Sequence, residues 1–284
     1  MPLPALTIIG ESINDSIPST RALFEAGDLA AIAELARTQA DRGAAYIDVN
    51  VGPRPPNRMA EVVRAIQSAT AVPLSLDSPD PLLARAALEA YDSARGTPIL
   101  NSISPLRMEM FDLIAIQPFR PILLASETVR DGMEIPCRTA EETVASAALL
   151  LDAARARGLA NRDCIIDPGI APLGTDTENN IHRLMGALRI IQNDPAFEGV
   201  HLSVGLSNFT VMLPPRRADG SPVRSALASA FLTRAMPLGL DMVIGSVKAP
   251  YALLPEGHPA LQCFDDCLAA EGFDVLERVQ AFCE

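Results

Sequence analysis

Short apolar runs rich in β-branched residues recur along the whole chain. Each ends in a polar residue or glycine, and each is followed by a stretch whose apolar positions return with helical spacing. The runs occupy 6–12, 44–52, 72–78, 97–104, 120–127, 163–170, 200–208 and 240–248. The intervening stretches predict helices over 28–42, 57–70, 79–92, 106–116, 139–158, 178–194, 221–238 and 258–283. Segment 106–116 has the weakest periodicity, because its apolar residues fall on every face. Near-continuous apolar strands alternating with helices predict a parallel sheet covered on both faces, and eight such repeats predict its closure into a (β/α)₈ TIM barrel, an α/β fold. No Gly/Ser linker or shift in composition divides the chain, so one barrel domain over 1–284 is expected.

Composition narrows the function. The chain has 284 residues, 35 acidic against 23 basic, for a formal charge of −12, and 49% of it is apolar. That apolar content excludes a disordered chain, and the negative balance excludes a nucleic-acid binder, which needs a basic footprint. No apolar run approaches the roughly 20 residues of a membrane-spanning helix, and the opening residues lack the basic start of a signal peptide. A cytoplasmic protein with no membrane partner is expected. Cys137, Cys164, Cys263, Cys267 and Cys283 are odd in number and scattered, which suits reduced thiols better than a disulfide framework. Cys263 and Cys267, one turn apart, read as buried core residues. Lys248 is the only lysine.

In a (β/α)₈ barrel the chemistry gathers where the strands end, because the βα loops converge there on one mouth. The predicted ends carry Glu11 and Asn14, Asp48 and Asn50, Asp77 and Ser78, Asn101 and Ser102, Ser126 and Glu127, Asp167, Ser207 and Asn208, and Ser246 and Lys248. Carboxylates and amides in this number suit a flat polar heterocycle with donor and acceptor edges: a carboxylate accepts two hydrogen bonds in a plane, and Asn both donates and accepts. They do not suit a phosphate. The competing reading is that each merely caps a helix or makes a turn. Asp48, Asp77 and Asp167 could chelate a hard cation, but with no His at a strand end neither zinc nor iron is favoured, and no metal is assigned. Lys248 could form a Schiff base, although pairing with an anion or a neighbouring carboxylate suits it better.

GESIN (10–14), DVNVG (48–52), LDS (76–78), NSIS (101–104), DPGI (167–170) and GLSNFT (205–210) together resemble the pterin-binding (β/α)₈ family, which includes the dihydropteroate synthases, and especially its methyltetrahydrofolate:corrinoid methyltransferases. The synthases carry a Ser-Arg-Lys motif after strand seven, whereas this chain reads Ser207-Asn208, as the methyltransferases do. The resemblance implies that Asp77, Asn101 and Asp167 hold the pterin ring. It places Asn208 near N5 as the catalytic residue and has Glu11, Asn14 and Ser207 complete the polar floor. It gives Asp48 and Asn50 a supporting role and turns Arg224 toward the anionic tail of the folate; Lys248 has no clear counterpart in the family and, as the only lysine, is expected to contact that tail or the partner. Ser12 stands where relatives often have Arg.

The resemblance further implies methyl transfer between N5 of methyltetrahydrofolate, or tetrahydrofolate in the reverse direction, and the cobalt of a cobamide. The sequence has no Asp-x-His-x-x-Gly cobalamin motif, so a partner corrinoid protein is expected to carry the cobamide. A homodimer is a further implication. A dihydropteroate synthase-like transferase and a non-catalytic pterin-binding protein are the alternatives.

Overall fold

The computed structural model describes Leu3 and residues 5–284. Among these residues the strands are β1 (Thr7–Asn14), β2 (Tyr46–Asn50), β3 (Leu74–Asp77), β4 (Ile99–Ile103), β5 (Arg120–Leu124), β6 (Glu127–Arg130), β7 (Met133–Pro136), β8 (Ile165–Asp167), β9 (His201–Gly205) and β10 (Leu240–Gly245). All but β6 and β7 are parallel and close into one barrel in the order β1-β10-β9-β8-β5-β4-β3-β2. Each barrel strand lies within a predicted run except β1, which extends past residue 12 to Asn14.

The helices are α1 (Pro18–Ala26), α2 (Leu29–Asp41), α3 (Pro56–Ala69), α4 (Pro81–Ala90), α5 (Ala140–Arg155), α6 (Asn180–Asn193), α7 (Leu206–Thr210), α8 (Arg224–Ala235), α9 (Pro259–Leu268) and α10 (Phe273–Cys283). Three expectations need correction. The single helix expected over 258–283 is two, α9 and α10, broken where Gly272 takes φ +56° and donates its amide to Asn179 Oδ1 at 2.8 Å. Segment 106–116 forms a 3₁₀ helix at Met108–Ala115, in keeping with its missing stripe. The run over 200–208 stops at Gly205, so Ser207 and Asn208 lie on α7 rather than on the strand.

Two elements fall outside the predicted pattern. Helix α1 begins with Pro18 at its first turn and ends on Gly27 in the left-handed region, the usual asymmetry of Pro before and Gly after. Hairpin β6–β7 turns through Asp131 and Gly132, both with positive φ, as an Asp-Gly hairpin turn requires. Among the described residues, no helix is long and apolar enough to cross a membrane.

The core explains where the site is. A large apolar cluster fills the space between strands and helices, while Ile9, Ile99, Ile122, Ile165 and Met242, one from each of five strands, form a separate plug inside the barrel. Side chains alternate across a strand, so the next inward position lies two residues further along. From the plug that step reaches Glu11, Asn101, Leu124, Asp167 and Ile244, and all five line one cleft, together with Asp48 of β2, Asp77 of β3 and Gly205 of β9. The mouth is therefore the layer directly above an apolar floor.

Candidate active site

The cleft at the mouth has a volume of about 550 Å³ and takes lining from all eight barrel strands. Of the residues expected there, Glu11, Asn14, Asp48, Asp77, Asn101, Ser102, Ser126, Asp167, Ser207 and Asn208 line it. Asn50 does not, and Ser78 turns away to accept the Asp80 amide at 3.1 Å. Glu127 starts the hairpin and pairs with Glu134; burial and that second carboxyl push it up to about 7.

Strict alternation along β1 would put Glu11 and residue 13 inside together. The register instead shifts between Gly10 and Ile13, so Ile13 packs in the outer core and Asn14 reaches the cleft. The residue inside this bulge, Ser12, is held from both sides. Its N–H donates to Gln39 Oε1 at 3.0 Å, and its carbonyl accepts from Thr20 Oγ1 at 2.9 Å. A Cβ on Gly10 would lie 2.6 Å from the same Gln39 oxygen, so α2 can approach the bulge only over a glycine.

Strands β2, β3 and β4 carry one polar network. Asp48 is 1% exposed and accepts from Ser75 Oγ at 2.7 Å and Asn101 Nδ2 at 3.2 Å. Asp77 Oδ2 accepts from Asn50 Nδ2 at 2.9 Å, while Asn50 Oδ1 accepts the Gly52 amide at 2.8 Å. The two carboxyls lie close enough to influence one another. Burial, followed by the charge of Asp77, pushes Asp48 well above the usual carboxylate range. Burial also raises Asp77, against the Asn50 hydrogen bond. Burial therefore favours the protonated form of both carboxyls of the pair.

Across the mouth, Asp167 is 7% exposed, and its Oδ1 accepts the Gly169 amide at 2.7 Å. Burial pushes it up to about 6, opposed by that N–H and by the charge of Arg183. Gly169 has φ +73°, and a Cβ there would meet Ser126 Cβ at 2.3 Å, so only glycine lets the turn close. Ser207 donates its hydroxyl to Glu11 Oε1, and burial raises the Glu11 carboxyl against that bond. Asn208 sits exposed over Gly205, where a Cβ would approach its Nδ2 to 2.9 Å.

Arg224 and Lys248 lie outside the cleft, in a neighbouring depression of about 460 Å³ lined also by Ser246 and Tyr251, which shares Ser207 and Val211 with it. Arg224 Nε is engaged by the Leu213 carbonyl at 2.6 Å. Sequence reasoning missed Gln39, Thr20 and Arg183, which touch the site from behind and sit in helices with nothing local to mark them. Among the described residues, no three His, Cys, Asp or Glu side chains are grouped so as to hold a metal ion.

A closed (β/α)₈ barrel whose mouth offers paired carboxyl and amide edges in place of a phosphate cradle is the arrangement of a pterin-binding enzyme. The chain belongs to that family: residues 13–245 match its model, described as pterin binding enzyme. Within it, the chain is 28% identical over 245 residues to the methylcorrinoid:tetrahydrofolate methyltransferase of Eubacterium limosum, covering 84% of each chain. Among solved structures it is similar to dihydropteroate synthase from Xanthomonas albilineans with 4-aminobenzoic acid, at TM-score 0.57, 20% identity and 93% coverage of both chains. The dihydropteroate synthase from Thermus thermophilus superposes with TM-score 0.53 at 22% identity, covering 88% of this chain and 91% of that one. At these identities the structural likeness establishes the fold.

Proposed function

We propose that this enzyme is a methyltransferase that moves a methyl group between N5 of (methyl)tetrahydrofolate and the cobalt of a corrinoid carried by a partner protein. The observation that carries the reading is the ring of strand-end residues facing one cleft: Asp48, Asp77 and Asn101 on one side and Asp167 on the other. An amino-pyrimidinone edge has adjacent N–H donors and a carbonyl acceptor, and a carboxylate with a neighbouring amide complements it. The name of the Eubacterium limosum relative supports the same chemistry.

In this reading Asp77, Asn101 and Asp167 hold the pterin ring. Asp48 and Asn50 tie Asp77 and Asn101 together, and Glu11, Asn14 and Ser207 complete the floor. Arg224 and Lys248, flanking the neighbouring depression, face the anionic tail. The corrinoid supplies the cobalt that takes or gives the methyl group. The protein's task is to make N5 a leaving group, since an unprotonated N5 would depart as an amide-like anion. Asn208 donates a hydrogen bond to N5 that strengthens as charge develops there, which is electrostatic stabilisation of the transition state.

Anaerobic incubation of the protein with methyltetrahydrofolate and reduced cobalamin, followed in the visible spectrum, tests the proposal. Conversion to methylcobalamin is the expected result. Folate binding with no spectral change would leave a non-catalytic pterin-binding protein. Condensation of a dihydropterin pyrophosphate with 4-aminobenzoate would make it a synthase.

A further inference from the structure

Arg183, on α6, is 6% exposed and lies behind the turn that follows β8. Its Nη1 donates to the Pro168 carbonyl at 2.5 Å and to Thr143 Oγ1 at 3.0 Å, and its Nη2 donates to the Gly169 carbonyl at 2.9 Å. Its Nε is buried with no partner. All of these acceptors are neutral, and Arg183 makes no ion pair among the described residues. Asp176, nearby, already accepts the amides of Asn180 and Ile181 at the start of α6.

A buried guanidinium without an ion pair is costly, and a slot that needed only filling would favour an apolar side chain. The cation sits where its two carbonyl bonds fix the backbone of 168–169, and through it the Gly169 N–H that holds Asp167 Oδ1. We propose that Arg183 is a positioning residue for Asp167: it pins the turn, and its charge, spent on no direct ion pair, favours the anionic carboxylate that accepts the pterin's N–H donors. The inference rests on the assignment of Asp167 to the pterin.

Electrostatics in this pocket agree. Burial drives Asp167 up to about 6, and the two influences that oppose it are the Gly169 amide and the Arg183 charge. The charged and titratable groups that face Arg183 are Cys137, Asp167 and Asp176. Burial raises the Cys137 thiol, so it stays neutral around pH 7, and Asp176 accepts the amides at the start of α6. Asp167, pushed up to about 6, changes charge just below neutral pH.

The test compares Arg183→Met and Arg183→Lys with the wild type in two measurements. The first is the ¹³C titration of the Asp167 carboxyl in the ligand-free protein, assigned by its loss in Asp167→Asn. The second is calorimetry with methyltetrahydrofolate across the same pH range. Removing the charge in Arg183→Met should move the Asp167 midpoint upward by on the order of one pH unit, and its affinity loss should shrink as pH rises. Arg183→Lys keeps the charge but cannot span both carbonyls, so its midpoint should stay near that of the wild type while affinity falls equally at every pH. An unmoved midpoint in folded Arg183→Met, or full affinity in Arg183→Lys, would overturn the proposal, and the second criterion stands even if Arg183→Met does not fold. A wild-type protein that ignores methyltetrahydrofolate would refute the pterin assignment instead, while the carboxyl titration would still report on Arg183.

Discussion

Gln39 on α2 accepts the amide hydrogen of Ser12 at 3.0 Å, across 27 residues of sequence. That bond satisfies a donor which the bulge in β1 removes from the barrel ladder, and it keeps Glu11 and Asn14 on the same side of the strand. Gln39→Leu fills the space but leaves the half-buried Ser12 N–H without its partner, which costs about 1 kcal/mol. The expected result is a lower denaturation midpoint in urea together with weaker folate binding. Retention of both would mean that the bulge needs no support from α2.

Asp77→Ala and Asp167→Ala should each lose most of the affinity for methyltetrahydrofolate in calorimetry. Each change leaves pterin N–H donors facing a buried site without an acceptor, worth about 1–3 kcal/mol per group. Asp77→Ala also strips Asn50 of its partner, and Asp167→Ala strips the Gly169 amide of its own. Unchanged binding in both variants would remove the pterin from this end of the barrel.

Asn208→Ala should lower the methyl-transfer rate far more than it weakens binding, because the hydrogen bond is proposed to strengthen in the transition state. Losing one such preorganised donor costs about 10²–10³ in rate. Asn208→Asp offers no donor when ionised, and its activity should recover partly as pH falls. A raised Michaelis constant with an intact turnover number would make Asn208 a binder of the ground state.

The paired carboxyls of Asp48 and Asp77 should make the ligand-free protein sensitive to alkali. Both are raised in the folded state. The folded protein therefore binds more protons than the unfolded chain, and stability falls as pH rises above the ordinary carboxylate range of about 4. Asp48→Asn removes one titrating group while its amide oxygen can still accept from Ser75 and Asn101. Its melting temperature should exceed that of the wild type by a margin that widens from about pH 5 to about pH 8. A margin independent of pH would show that the Asp48 carboxyl is not raised in the folded protein.

The eight barrel strands were legible because a strand buried on both faces must be almost wholly apolar, and the point where it meets the mouth must turn polar. The order of those polar ends along the chain therefore carries Glu11, Asp48, Asp77, Asn101 and Asp167 into one layer on sequence alone. What a linear pattern cannot carry is the contact between distant segments. The phase shift that lets Glu11 and Asn14 share a face leaves the Ser12 amide and carbonyl to Gln39 and Thr20, in two helices packed outside the strand. Asn50 lies two residues beyond Asp48, yet its amide is spent on Asp77 and it does not line the cleft. Arg183 looks like any residue of an amphipathic helix until α6 folds against the turn after β8 and the guanidinium loses its water. Periodicity records which face of an element is apolar, and so the sequence by itself determined the barrel and the polar character of its mouth. The pairing and burial of individual polar groups are properties of the packed assembly, and only the tertiary structure decided them.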